Sequence, residues 1–169
     1  AARGLRLTSA YSEPSCTPSR ATLLTGRLPM RHGLQRPPMY GEGGGLEGEV
    51  TLAELLSAQG YVTQAVGKWH LGENEQSQPQ HVGFDDFYGF LSVSDMYTEW
   101  RDPYFFPEIV YSRARTDWVA NQPFNKSFVH ATRGGPLTEV EEVTIPVLSE
   151  LDQRWCGYSE DFLRRMADG

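Results

Sequence analysis

Leu5 to Tyr11 (LRLTSAY) alternates apolar and polar side chains, the period-two pattern of a half-buried strand. A helix is predicted over Pro18 to Thr25, with Thr17 as N-cap, proline at the first helical position and Gly26 as its stop. Thr51-Leu-Ala-Glu54 reads as a capping box that opens a second helix. Leu52, Leu55 and Leu56 give that helix its buried stripe, and Gly60 ends it. Tyr61 to Val66 is aromatic and β-branched and reads as a strand. Near the end Pro146 opens a further helix. There Leu148, Leu151, Trp155, Tyr158 and Phe162 recur at intervals of three and four. This stripe needs a partner surface, expected in chain that lies beyond the sequence. Pro29, Pro37, Pro38 and the glycines from Gly41 to Gly45 mark a loop. Gln76 to Gly135 is dense in aromatics interleaved with Asp, Asn, Pro and Gly, and reads as long packed loops with short strands. Glu139 to Glu142 reads as a solvated face. Helix followed by strand predicts an α/β layer.

Composition narrows the function classes. With 15 basic and 22 acidic residues the net charge is −7, which excludes a nucleic-acid or anionic-membrane binder held by bulk charge. The chain of 169 residues has one domain's length, and its 17 glycines and 11 prolines require many loops. No apolar run reaches the length of a membrane span. Cys16 and Cys156 are too few for a disulfide scaffold, so each is read by its own surroundings. Cys156, beside Trp155 on the edge of the helical stripe, reads as structural.

Two strings carry chemistry. In Cys16-Thr17-Pro18-Ser19-Arg20, followed by Leu24-Thr25-Gly26-Arg27, the cysteine sits at the mouth of a helix N-terminus. Free backbone N–H groups, the positive end of the helix dipole and Arg20 one turn on make an anion pocket. A thiolate nucleophile fits there, and so does a tetrahedral oxyanion such as phosphate or sulfate. In Gly67-Lys68-Trp69-His70-Leu71-Gly72, strand alternation would place Lys68 and His70 on one face, where they can clamp an anion and move protons near neutral pH.

The first string resembles the signature of the type I sulfatases, C-x-P-S-R with a downstream L-T-G-R. The second resembles that family's next signature at about the expected separation. His81-Val-Gly-Phe-Asp-Asp-Phe-Tyr-Gly89 is similar to its G-F-D-x-F-x-G stretch. The resemblance runs from about Leu5 to Phe90. It implies an α/β, partial alkaline-phosphatase-like domain: a mixed sheet carrying Leu5–Tyr11 and Tyr61–Val66, flanked by helices, with long loops. It implies that Cys16 becomes formylglycine through a formylglycine-generating enzyme. One hydroxyl of the hydrated aldehyde then attacks sulfur, and the other expels sulfate. That is chemistry an ordinary serine ester lacks, because it has no second hydroxyl. Arg20 would hold the diol, Lys68 would bind a sulfate oxygen, and His70 would hydrogen-bond the diol and assist elimination. Ser94, in Ser92-Val-Ser94-Asp95, falls where relatives place a sulfate-contacting serine. The substrate would be a small-molecule or carbohydrate sulfate ester, and the compartment periplasmic or extracellular.

The departures are equally informative. The family holds calcium through carboxylates before and beyond this sequence, and here only Cys16, as formylglycine, matches a ligand position. Residues 1–169 are therefore expected to be one partial catalytic domain, without its first metal-ligand strand and its C-terminal part, and inactive alone. The rival readings are a phosphonate monoester or phosphodiester hydrolase of the same superfamily, a truncated anion-binding chain, and a plain cysteine hydrolase. His32 and His81 read as packing residues and His130 as a surface residue.

Overall fold

The computed structural model describes residues 4–38, 44–92 and 127–167. Strands β1 (Gln64–Lys68), β2 (Asp86–Phe90), β3 (Ser127–Thr132) and β4 (Thr138–Glu142) form one sheet in that order. β1 and β2 run parallel, while β3 and β4 continue antiparallel, so the sheet is mixed. The helices are α1 (Cys16–Thr25), α2 (Pro29–His32), α3 (Leu52–Ser57), α4 (Ile145–Ser149) and α5 (Leu151–Ala167).

Strand alternation divides the core into two layers. Phe87 and Val129 face one side, where Ala21 of α1, Leu46, Trp69, Leu71 and Leu91 close over them. Phe90 and Phe128 face the other side, under Leu148, Leu151 and Trp155 of α4 and α5. Phe87 and Phe128 are almost wholly buried. Each contributes about 1.5–3 kcal/mol relative to an exposed ring. The stripe read from the sequence therefore finds its partner in the chain's own sheet. Trp155 packs 5.7 Å from Phe90, and Tyr158 stacks on Tyr88 at 4.6 Å.

Two glycines set the approach of β1 to β2. Gly67 is paired with Gly89. A Cβ on Gly89 would lie 1.9 Å from the Gly67 carbonyl oxygen, and Gly67 itself has φ +95°. Only glycine permits both the contact and the conformation. The second signature and the G-F-D-x-F-x-G stretch thus meet side by side.

Several elements differ from expectation. Leu5–Tyr11 is irregular, with Leu5, Leu7 and Tyr11 exposed. Alternation makes a strand only where a neighbouring edge supplies hydrogen bonds, and none of the described strands pairs there. α1 starts at Cys16 rather than Pro18, with Ser15 as N-cap. The second strand is shifted to Gln64–Lys68. Among the described strands the acidic run is an edge strand, β4, and its charges suit that position. The last helical region is two helices with a break at Glu150. The capping box of Thr51 and Glu54 forms as predicted, but its helix ends at Ser57 before Gly60 and buries Ala53, leaving Leu52 and Leu55 exposed; the Gly26 stop forms, with φ +66°.

Candidate functional site

The first turn of α1 grips the end of β1. Backbone pairing fixes the geometry: Asp86 N–H donates to Thr63 O, and Trp69 N–H to Phe90 O. Odd-numbered residues of β1 therefore turn their backbone groups toward β2. The Lys68 carbonyl faces the outer edge, where among the described residues no strand lies. Arg20 takes that carbonyl with Nη2 and the Trp69 carbonyl with Nε at 2.7 Å. Thr17 Oγ1 donates to the next one, His70 O, at 2.9 Å. Three successive carbonyls are thus held by side chains of one helical turn. Thr17, assigned as an N-cap from the sequence, is instead a clamp on the site strand, and α1 has no side-chain cap at its start.

This clamp holds His70 in the left-handed region, at φ +57°. A non-glycine residue there costs on the order of 1–2 kcal/mol and persists only where its surroundings fix it. β1 has ended at Lys68, so simple alternation does not orient the imidazole. The turn does, and it brings Nδ1 to 3.2 Å from Cys16 Sγ. Cys16 is half-buried at the N-terminal end of α1, where the helix dipole favours negative charge. Lys68 and Arg20 line one groove of about 220 Å³ with Leu24, Trp69 and Phe84.

Electrostatics follow from this crowding. Burial, then the charges of Lys68 and Arg20, hold the His70 imidazole down to about 4. It is therefore neutral at pH 7. Burial also lowers Arg20 from its ordinary value, against the opposing effect of Cys16. Cys16, Arg20, Lys68 and His70 are thus brought together. Ser94 lies outside the described residues, as does most of the aromatic stretch.

The other candidates have structural partners. His32 Nδ1 accepts from Leu34 N–H at 3.1 Å, and His81 lies 3.9 Å from Glu75. His130, read as a surface residue, is half-buried and bonded to Asp86 at 2.9 Å, a carboxylate that also accepts from Tyr158. Cys156 is exposed, with Sγ 3.7 Å from Glu160, rather than packed. Asp85 accepts from Thr63 and Arg133, which hold its carboxyl below the usual range.

The residues around Cys16 suit an anion better than a metal. Arg20, Lys68 and His70 supply cations and an imidazole, whereas calcium requires several oxygen ligands. Among the described residues no group of three or more His, Cys, Asp or Glu is placed to hold a metal ion. These residues do not by themselves fit calcium.

A mixed sheet between helical layers, with a helix N-terminus, a cysteine and three nitrogen-bearing side chains at the end of its parallel strands, defines an α/β protein with a candidate site at that end. The sulfatase family model matches residues 1–166, and the chain belongs to the sulfatase family. Over 94 residues it is 54% identical to arylsulfatase A of Bos taurus, an alignment covering 53% of this chain and 18% of that protein. Over 99 residues it is 44% identical to N-acetylgalactosamine-6-sulfatase of Homo sapiens, covering 53% of this chain and 19% of that one. The solved PsFucS1 sulfatase from Pseudoalteromonas sp. superposes with a TM-score of 0.80 at 37% identity, covering 98% of this chain and 34% of its own. The fold is accordingly that of a partial alkaline-phosphatase-like domain. The chain spans about a fifth of the length of the curated relatives it matches. Among the described residues no helix is long and apolar enough to cross a membrane.

Proposed function

We propose that these residues form the nucleophile half of a sulfate-ester hydrolase whose remaining site residues, calcium ligands included, come from a longer polypeptide. The observation that carries this reading is the clamp of Arg20 and Thr17 that sets His70 Nδ1 3.2 Å from Cys16 Sγ at a helix N-terminus. Converted to formylglycine by a formylglycine-generating enzyme, the side chain at position 16 supplies a hydrated aldehyde: one hydroxyl to displace the alcohol and one to release sulfate.

The chain's own residues do the rest. The N-terminal end of α1 favours the anionic form of the side chain at position 16. Neutral His70 takes a proton there at Nδ1 and returns it. Lys68 Nζ holds a sulfate oxygen and offsets charge that grows in the transition state. Arg20, engaged with two carbonyls, fixes where Lys68 and His70 stand. The substrate class is a small-molecule or carbohydrate sulfate ester.

The test is peptide mass spectrometry of the full-length protein coexpressed with a formylglycine-generating enzyme, together with kinetics on aryl sulfate and aryl phosphonate esters. The expected result is the mass of an aldehyde in place of the thiol at Cys16, and preference for the sulfate. An intact thiol at full activity rules the mechanism out. A preference for the phosphonate reassigns the substrate.

A further inference from the structure

The Arg20 and Thr17 clamp grips the end of β1 from the α1 side only. Gly67 lies within that strand end, directly before Lys68, and has φ +95°. With no side chain of its own, a glycine has more backbone freedom than any other residue. Its partner across the sheet, Gly89, also lacks one. The space beside Gly67 is taken instead by α5. A Cβ on Gly67 would meet Cε3, Cζ3 and Cη2 of the Trp155 indole, each at 3.6 Å. The six-membered ring of Trp155 therefore covers the side of Gly67 on which a side chain would project.

Trp155 is fixed there from several directions. Its ring packs 5.7 Å from Phe90, the residue after Gly89. One turn on, Tyr158 donates to Asp86 at 2.9 Å and stacks on Tyr88. The preceding residue, Arg154, pairs with Glu141 of β4 and with Glu150. The indole N–H is buried and, among the described residues, has no acceptor. A buried donor without a partner is unfavourable, so hydrogen bonding does not account for a tryptophan at this position. Its flat aromatic area does.

We infer that Trp155 is a positioning residue for the anion site: its ring, over Gly67 from the α5 side, and the Arg20 fork, from the α1 side, together fix the backbone that carries Lys68. The inference rests on the sulfate-ester reading above for what Lys68 holds. Without the ring, Gly67 can turn about its own backbone bonds, and Lys68 moves with it. A displacement of about 1 Å near the reacting atoms costs on the order of a hundredfold in rate, so a fraction of that shift is measurable.

The experiment uses the full-length protein and reads kcat and KM on an aryl sulfate ester, inorganic sulfate affinity by calorimetry, and stability in urea. Trp155→Leu keeps an apolar side chain without the flat face, and is expected to lower kcat about tenfold and sulfate affinity about threefold. Trp155→Met, unbranched and also without a flat face, behaves alike. Trp155→Phe restores a ring and removes the unpartnered N–H, and returns both quantities to within about twofold of the wild type. Leu151→Ala opens a cavity in the same layer under α5, and lowers stability without the loss in kcat. The deciding measurement is a double-mutant cycle. Because Trp155 acts through Lys68, Trp155→Leu in a Lys68→Gln background is expected to cost no more than about twofold further in kcat/KM. An undiminished loss in that background overturns the inference. So does an equal loss of kcat in Leu151→Ala, which would show that packing at large is felt. Normal ester turnover in both the wild type and Trp155→Leu leaves the function standing and removes the inference. If the wild type binds sulfate but turns over no ester, the sulfate-ester reading fails, and the same cycle run on sulfate affinity decides the inference by itself.

Discussion

Arg20→Lys keeps the positive charge at position 20 and removes the planar fork. In the structure the fork serves two adjacent carbonyls, Lys68 O and Trp69 O. A lysine is a point charge and cannot present two donors at that fixed spacing, so at least one bond is lost. A hydrogen bond to a charged group is worth about 1.5–3 kcal/mol, and the loss falls near that range because the side chain is part-buried. Arg20→Ala loses both bonds and the packing of the stem, for roughly 3–5 kcal/mol. Activity is the sharper readout. Without the fork the Lys68–Trp69–His70 segment relaxes, and a displacement of about 1 Å at a reacting group costs on the order of a hundredfold. The assay is urea denaturation of the full-length protein beside kcat/KM on an aryl sulfate. If charge alone matters at position 20, Arg20→Lys will match the wild type and only Arg20→Ala will fail. An Arg20→Lys variant within about 0.5 kcal/mol and twofold in kcat/KM would refute the clamp.

Four other predictions test the fold and the site. Because His70 is held down to about 4 in the folded protein, below its ordinary 6.5, the neutral site is intact above pH 6.5 and is lost as pH falls through about 4. The acid limb of kcat/KM is therefore expected near 4. Lys68→Gln moves the His70 titration upward, though not fully to 6.5, since burial is the larger cause; proton NMR of the imidazole in the full-length protein reads this shift. Gly89→Ala forces a Cβ into the Gly67 carbonyl, and a loss of about 3 kcal/mol or more is expected in denaturant unfolding. Tyr158→Phe keeps the stack on Tyr88 but drops the 2.9 Å bond to Asp86, for about 1–3 kcal/mol by the same measurement; no loss would mean the bond is not formed in solution.

The local devices were legible along the chain alone. The capping box at Thr51, the Gly26 stop and the three-and-four stripe of Leu148 to Tyr158 each follow from interactions within a turn or two, and all appear in the structure. The strings around Cys16 and His70 named the residues that meet, because both strings are short and bear reactive groups. What those residues do to one another depends on contacts between distant segments. Thr17 read as a cap because nothing local reveals a carbonyl 53 positions away. Arg20 read as a charge facing the anion, whereas its fork is engaged with the strand end. The Leu5–Tyr11 alternation read as a strand, but a strand also needs an edge to pair with. The left-handed turn at His70 was hidden for the same reason. Such a backbone is unfavourable alone and exists only because α1, β1 and β2 close around it.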